Sequence, residues 1–146
     1  MQVKFSFGED NQTLVSETIA FHELVKHWLC FFQPVAARKN SFLVNEVGEN
    51  FCVNADKSKL AELVGRLLGK IIRRNHTSCI RLTAKQFTNV ALLHFKGING
   101  NKNFTAPFHL DEVQALADEM GICITLNNYK SNETTVVLSM INLQAA

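Results

Sequence analysis

The residues Leu60, Leu63, Val64, Leu67, Leu68, Ile71 and Ile72 recur at spacings of three and four along one stretch of the chain. That period places them on one face of a helix, and such a face is stable only if a second layer buries it. Asp56 stands in front of the run as an N-cap, and Arg73 with Arg74 ends it, which predicts a helix from Asp56 to about Arg74. Two other stretches share the period. Phe21, Leu24, Val25, Trp28, Phe31, Phe32 and Val35 predict a helix over residues 16–38, whose last turn Pro34 should weaken or kink. Residues 109–120 predict a third, with Asp111 and Glu112 favourable in the first turn and Gly121 as its cap.

Between these helices the period falls to two. Val3, Phe5 and Phe7 alternate with Lys4 and Ser6 and read as a strand. Residues 41–47 and 51–53 flank a Gly48, Glu49, Asn50 turn, and residues 79–85 and 90–95 flank Phe87, Thr88 and Asn89. Residues 122–128 and 134–143 flank Lys130, Ser131 and Asn132. The order is strand, helix, two strands, helix, two strands, helix, two strands. Sequential strand pairs read as hairpins, so the sheet is expected to be mixed and mostly antiparallel rather than doubly wound. The expected fold class is an α/β (α+β) two-layer sandwich, its sheet covered on one face by about three helices. At 146 residues the chain is the size of one ordinary domain, and a single domain, 1–146, is expected.

Composition removes several function classes. A net charge of +2 does not by itself argue for nucleic acid or a membrane surface. No apolar run approaches the roughly 20 residues that cross a bilayer, and residues 1–7 form no leader-like block, so a cytoplasmic location is expected. Cys30, Cys52, Cys79 and Cys123 contain no CxxC pair; each lies in an apolar run and is expected to be a buried, reduced thiol, with no metal site. His22, Glu23 and His27 suggest a zinc-protease helix, but a spacing of five residues sets the imidazoles about 140° apart. No nucleophile–base grouping emerges, and no catalytic residue is assigned.

Charge is distributed unevenly. Between Leu63 and Leu110 there is no Asp or Glu, yet eight of the fifteen Lys and Arg residues fall there. Arg66, Lys70, Arg73 and Arg74 make a basic stripe on the second helix, which Arg81, Lys85, Lys96 and Lys102 would extend if a sheet edge is adjacent. The stripe is either a solvated helix face or a surface for an anion or acidic partner. Aromatic residues for base stacking are scarce along it, which disfavours nucleic acid. Asp111, Glu112, Asp118 and Glu119 give the third helix an acidic face that capping and solubility explain.

The segment NADKSKLAELVGRLLGKIIR, residues 54–73, resembles the ATP-binding domain of sensor histidine kinases, within the Bergerat-fold (GHKL) superfamily that includes the gyrase ATPases. Residues 21–40 resemble the family's first helix, and residues 109–143 its terminal helix and hairpin, so the likeness spans roughly residues 16–143. The resemblance places Arg66 and Lys70 at the two asparagines of the N box, with Ile71 where a small residue follows. The second of those asparagines helps hold the magnesium in the family, and an ammonium there would repel it. The adenine-binding Asp-x-Gly-x-Gly motif corresponds to HFKGINGN, residues 94–101, which offers no carboxylate in any register. Gly97 and Gly100 survive at GxxG spacing and read as turn glycines. The glycine-rich lid would fall within residues 102–108, which contain no glycine and include Pro107. His22, Glu23 and Leu24 echo the start of the family's phosphoacceptor box, but the match ends at Val25.

The resemblance implies a histidine-kinase-type ATPase fold without ATPase or kinase activity, no cofactor, and a regulatory role through a protein partner. Two alternatives stand beside it. One is a working Mg-ATP-binding domain of a divergent sensor kinase. The other is an anion or nucleic-acid binder using the basic stripe.

Overall fold

A computed structural model describes residues 16–99, 110–130 and 133–143. The expected strand at Val3, Phe5 and Phe7 lies outside them. Seven strands and three helices follow in the order β1 Glu17–Ala20, α1 Phe21–Arg38, β2 Phe42–Asn45, β3 Cys52–Ala55, α2 Lys57–Arg74, β4 Ser78–Phe87, β5 Val90–Asn99, α3 Asp111–Met120, β6 Cys123–Lys130 and β7 Glu133–Ile141. The five-stranded sheet has the order β2-β4-β5-β7-β6, and β1 and β3 form a separate antiparallel pair. Only β2 runs parallel to its neighbour; the other pairings in the large sheet are antiparallel. This is the expected two-layer sandwich with a mixed, mostly antiparallel sheet.

Two local expectations are corrected. The first helix begins at Phe21, because Glu17–Ala20 is extended and pairs with β3, burying Ile19. Residues 41–47 and 51–53 do not form a hairpin. A turn does close there, with Phe51 N donating to Gly48 O at 3.1 Å. The strands on either side then join different sheets: β2 lies along β4 and β3 along β1. Parallel pairing needs a long crossover, here supplied by α2, and leaves no local turn signature.

The core sits between the helices and one face of the large sheet. Leu60, Leu63, Leu67, Leu68, Ile71 and Ile72 of α2 are buried with Ile80, Leu82, Leu93, Phe95, Val136 and Leu138 from alternate positions of β4, β5 and β7. Val25, Leu29, Phe32 and Ala36 of α1 complete it. Helix α1 continues through Pro34 to Arg38, and Asn40 then turns it with φ 55° as Ser41 N donates to Ala36 O at 2.9 Å. Asp56 caps α2 as expected, its Oδ1 accepting from Lys59 N at 3.2 Å. Gly121, at φ 69°, ends α3 in the left-handed region.

A buried amide ties the small sheet to the large one. Asn142 is 1% exposed; its Nδ2 donates to Cys52 O at 3.0 Å and to Gln86 Oε1 at 2.8 Å. Its Oδ1 accepts from Asn54 N at 3.0 Å.

Candidate functional site

Helix α2 carries the positions that the sequence singled out. Arg66 and Lys70 lie one turn apart on it. The Arg66 guanidinium meets Glu62 Oε2 at 2.7 Å, a surface pair of i,i+4 spacing, while Lys70 is half-buried. Arg73 and Arg74 are exposed in the last turn, where cations favour the helix dipole, and Lys39 Nζ donates to the Arg73 carbonyl at 2.8 Å. The stripe is thus continuous along α2 and gains Lys39 from the end of α1.

It does not continue onto the sheet. In β4 and β5 the buried Ile80, Leu82, Leu93 and Phe95 alternate with Arg81, Lys85 and Lys96, which therefore project from the face away from the helices. The basic residues form two groups separated by the sheet, and Lys102 lies outside the described residues. Gly97 is not a turn glycine. It is buried in β5, paired with Ile80 and Thr134, and a Cβ there would be in ordinary contact with the Asn75 amide at 3.4 Å. Gly100 lies outside the described residues.

The histidines of α1 are held apart. His22 Nδ1–H donates to Val47 O at 2.7 Å, and Asn45 Nδ2 donates to His22 O at 3.2 Å, so His22 pins the chain after β2. His27 stands edge-on to Trp28, with ring centroids 5.9 Å apart. Among the described residues no group of three His, Cys, Asp or Glu side chains is arranged to hold a metal ion. The expectation of buried thiols fails: Cys30, Cys52 and Cys123 are exposed and Cys79 is half-buried, all four free. Cys30 lies on the solvent side of α1, and Cys123 projects opposite to the core-facing Ile122. No described helix is long and apolar enough to cross a membrane.

The seam between α1 and α2 went unread in the sequence. Gly65 and Gly69, four residues apart, face Trp28 and Phe32, also four apart, so the two helices approach with rings seated on bare backbone. The two rings stack at 5.7 Å and 26°, and Phe31 meets both edge-on. Above this seam, toward β1, a groove of about 610 Å³ is bordered by Thr18, Glu23, His27, Trp28, Lys57 and Ala61. The paired spacing of four, glycine on one helix and aromatic on the other, was the signal available. A second concavity of about 330 Å³ lies where the start of α2 meets the end of α3, around Asp56, Lys59, Glu119 and Gly121. Lys59 and Glu119 pair across it at 3.3 Å. Arg66 and Lys70 line neither.

No protein-family model matches the chain, and no curated protein sequence does. Solved structures do. The catalytic domain of histidine kinase ThkA superposes with a TM-score of 0.73 at 15% identity, covering 89% of this chain and 97% of that one. Histidine kinase AdeS of Acinetobacter baumannii superposes at 0.75 with 13% identity, covering 92% of this chain and 70% of that one. The mycobacterial sensor histidine kinase MprB gives 0.68 at 14% identity, covering 90% of this chain and 100% of that one. The element order, the parallel β2–β4 edge and the one-sided helical layer agree with that likeness, and the chain has the GHKL-type fold of histidine-kinase ATP-binding domains.

Proposed function

We propose that this chain is a non-catalytic histidine-kinase ATPase-like domain that serves as a regulatory, protein-binding module in bacterial two-component signalling. The observation that carries the reading is the pair Arg66 and Lys70, one turn apart on α2, where the sequence resemblance would align the N-box asparagines. A magnesium ion bridging phosphates takes oxygen ligands. A guanidinium and an ammonium are donors only, and their charge opposes a divalent cation. Arg66 is moreover turned to Glu62. The residues present therefore do not fit Mg-ATP in the way the family binds it, and no cofactor is assigned.

A protein partner suits the fold. Histidine kinase ThkA has been solved in complex with the response regulator TrrA, and its fold matches at a TM-score of 0.72, this chain covering 42% of that one. One observation favours a second reading, a working ATP-binding domain. Full-length ShkA, solved with AMPPNP, shares the fold at a TM-score of 0.73 and 14% identity, with this chain covering 34% of it.

Thermal melting with and without Mg-ATP separates the two. A ligand at a hundred times its dissociation constant adds about 2.7 kcal/mol, a rise of roughly 8 °C for a domain of this size. The expected result is a midpoint unchanged by Mg-ATP. A magnesium-dependent rise of that order would replace the first reading by the second.

A further inference from the structure

The helix-free face of the large sheet is unlike an ordinary solvated surface. Phe87, Val90 and Ile141 lie side by side across β4, β5 and β7 and are 56%, 38% and 72% exposed. The next outward-facing row is Lys85, Leu92, Ser139 and Cys123, and the row after it Thr83, His94, Val137 and Thr125. Arg81 and Lys96 then stand directly opposite each other, followed by Thr135. From Phe87 to Arg81 is six residues of strand, about 20 Å, which a helix of roughly 14 residues would span.

The face is divided along its length as well. Along β4 it carries Arg81 and Lys85 and along β7 Val137 and Ile141, while Phe42, 72% exposed, and Val44 lie on the same face beyond β4, on β2. Glu46 pairs with Arg81 at 2.9 Å beyond the β2 edge, and the register places Glu133 of β7 on this same face. The positive potential reaches the middle of the face: His94 has its pKa lowered by burial and then by Lys85 and Lys96.

We propose that this face docks an amphipathic helix of a partner protein, with carboxylates along the flank over β4 and large apolar side chains along the flank over β7. Charge complementarity selects an acidic occupant, and the exposed row of Phe87, Val90 and Ile141 requires an apolar one. A second copy of this chain fits less well. The exposed stripe of α3, Asp111, Glu112, Ala115, Asp118 and Glu119, matches the charge but offers nothing larger than Ala115 to cover that row. The proposal gives the partner's chemistry for the protein-binding reading above and rests on it.

The probe is a fluorescein-labelled helical peptide with leucines on one flank and glutamates on the other, titrated against the full chain by anisotropy. A peptide with lysine for glutamate, phosphatidylserine vesicles and polyuridine RNA serve as competitors for the assignment. The acidic peptide is expected to bind saturably, and Lys85→Glu and Phe87→Ser each to weaken it about tenfold or more, while Arg73→Glu on α2 changes it less than about twofold. Both sheet variants are expected to melt close to the parent, since both side chains are exposed. No saturable binding of the acidic peptide would overturn the proposal. So would equal binding of the lysine peptide, or tighter binding of vesicles or RNA. Self-association by light scattering that Lys85→Glu abolishes would give the face to a second copy instead. None of these outcomes bears on Mg-ATP, so failure here leaves the melting test of the broader reading intact.

Discussion

Gly65→Ala is the substitution for which the structure gives the sharpest expectation. A Cβ at Gly65 would lie 2.4 Å from Trp28 Cζ2, 2.6 Å from Cε2 and 2.7 Å from Cη2. Carbon atoms in contact prefer about 3.5–4.0 Å, so the indole must retreat by about 1 Å. It cannot do so alone, because it is stacked on Phe32 and abutted by Phe31 and His27. Forcing atoms into a packed seam costs about 1–3 kcal/mol, and a rigid bicyclic ring belongs at the upper end. Alanine returns about 1 kcal/mol of helix propensity over glycine. The net expectation is a loss of about 1–2 kcal/mol, or roughly 3–8 °C in melting midpoint. Gly69→Ala is the internal control. There the nearest atoms are Arg73 Nη1 at 3.0 Å, the end of a flexible side chain, and Phe32 Cζ at 3.3 Å. Propensity should then offset the strain, and the variant should be neutral or up to about 1 kcal/mol more stable. Trp28 is the sole tryptophan, so its fluorescence in urea reads the seam directly. Trp28→Leu should rescue Gly65→Ala with a coupling of at least about 1 kcal/mol. A Gly65→Ala protein as stable as Gly69→Ala, or strictly additive double variants, would refute the reasoning.

Two further perturbations have signs set by the structure. Asn142→Ala removes a buried amide that satisfies Cys52 O, Gln86 Oε1 and Asn54 N, and should cost about 2–4 kcal/mol in urea denaturation; a loss below about 1 kcal/mol would mean that the amide does not tie the sheets. His94 has a folded pKa below its ordinary 6.5, from burial first and then from Lys85 and Lys96, so the folded state holds this proton less readily than the unfolded chain. Its contribution to stability is complete above about pH 6.5 and declines as the pH falls below that value toward the folded pKa. An NMR titration should place the imidazole midpoint under 6.5, and Lys85→Gln should raise it; a midpoint at or above 6.5 contradicts the assignment.

Much of the fold was legible because its signals are local. Asp56 and the Leu60-to-Ile72 run announce α2 through a cap and a period that need no tertiary context, and Gly121 announces the end of α3. The strand β1 was hidden because Ile19 alone is buried in it, so a helical period running back from Phe21 absorbed it. The β2–β4 pairing was hidden because parallel neighbours are separated by the whole of α2, while Gly48 advertised a turn that joins two different sheets. The candidate site was legible only in part. Arg66, Lys70, Arg73 and Arg74 share α2 as expected. Their supposed extension through Arg81, Lys85 and Lys96 failed because residues that alternate with core positions leave on the opposite face of the sheet. Cysteine exposure was misread for a related reason: an apolar neighbourhood in sequence does not say which face a residue takes.

Isothermal titration of the protein with ATP, once in magnesium and once in EDTA, tests the central proposition most directly. The expected result is no magnesium-dependent heat, since the α2 positions nearest the N-box pattern present Arg66 and Lys70 in place of oxygen donors. Saturable micromolar binding that requires magnesium and vanishes in EDTA would contradict it.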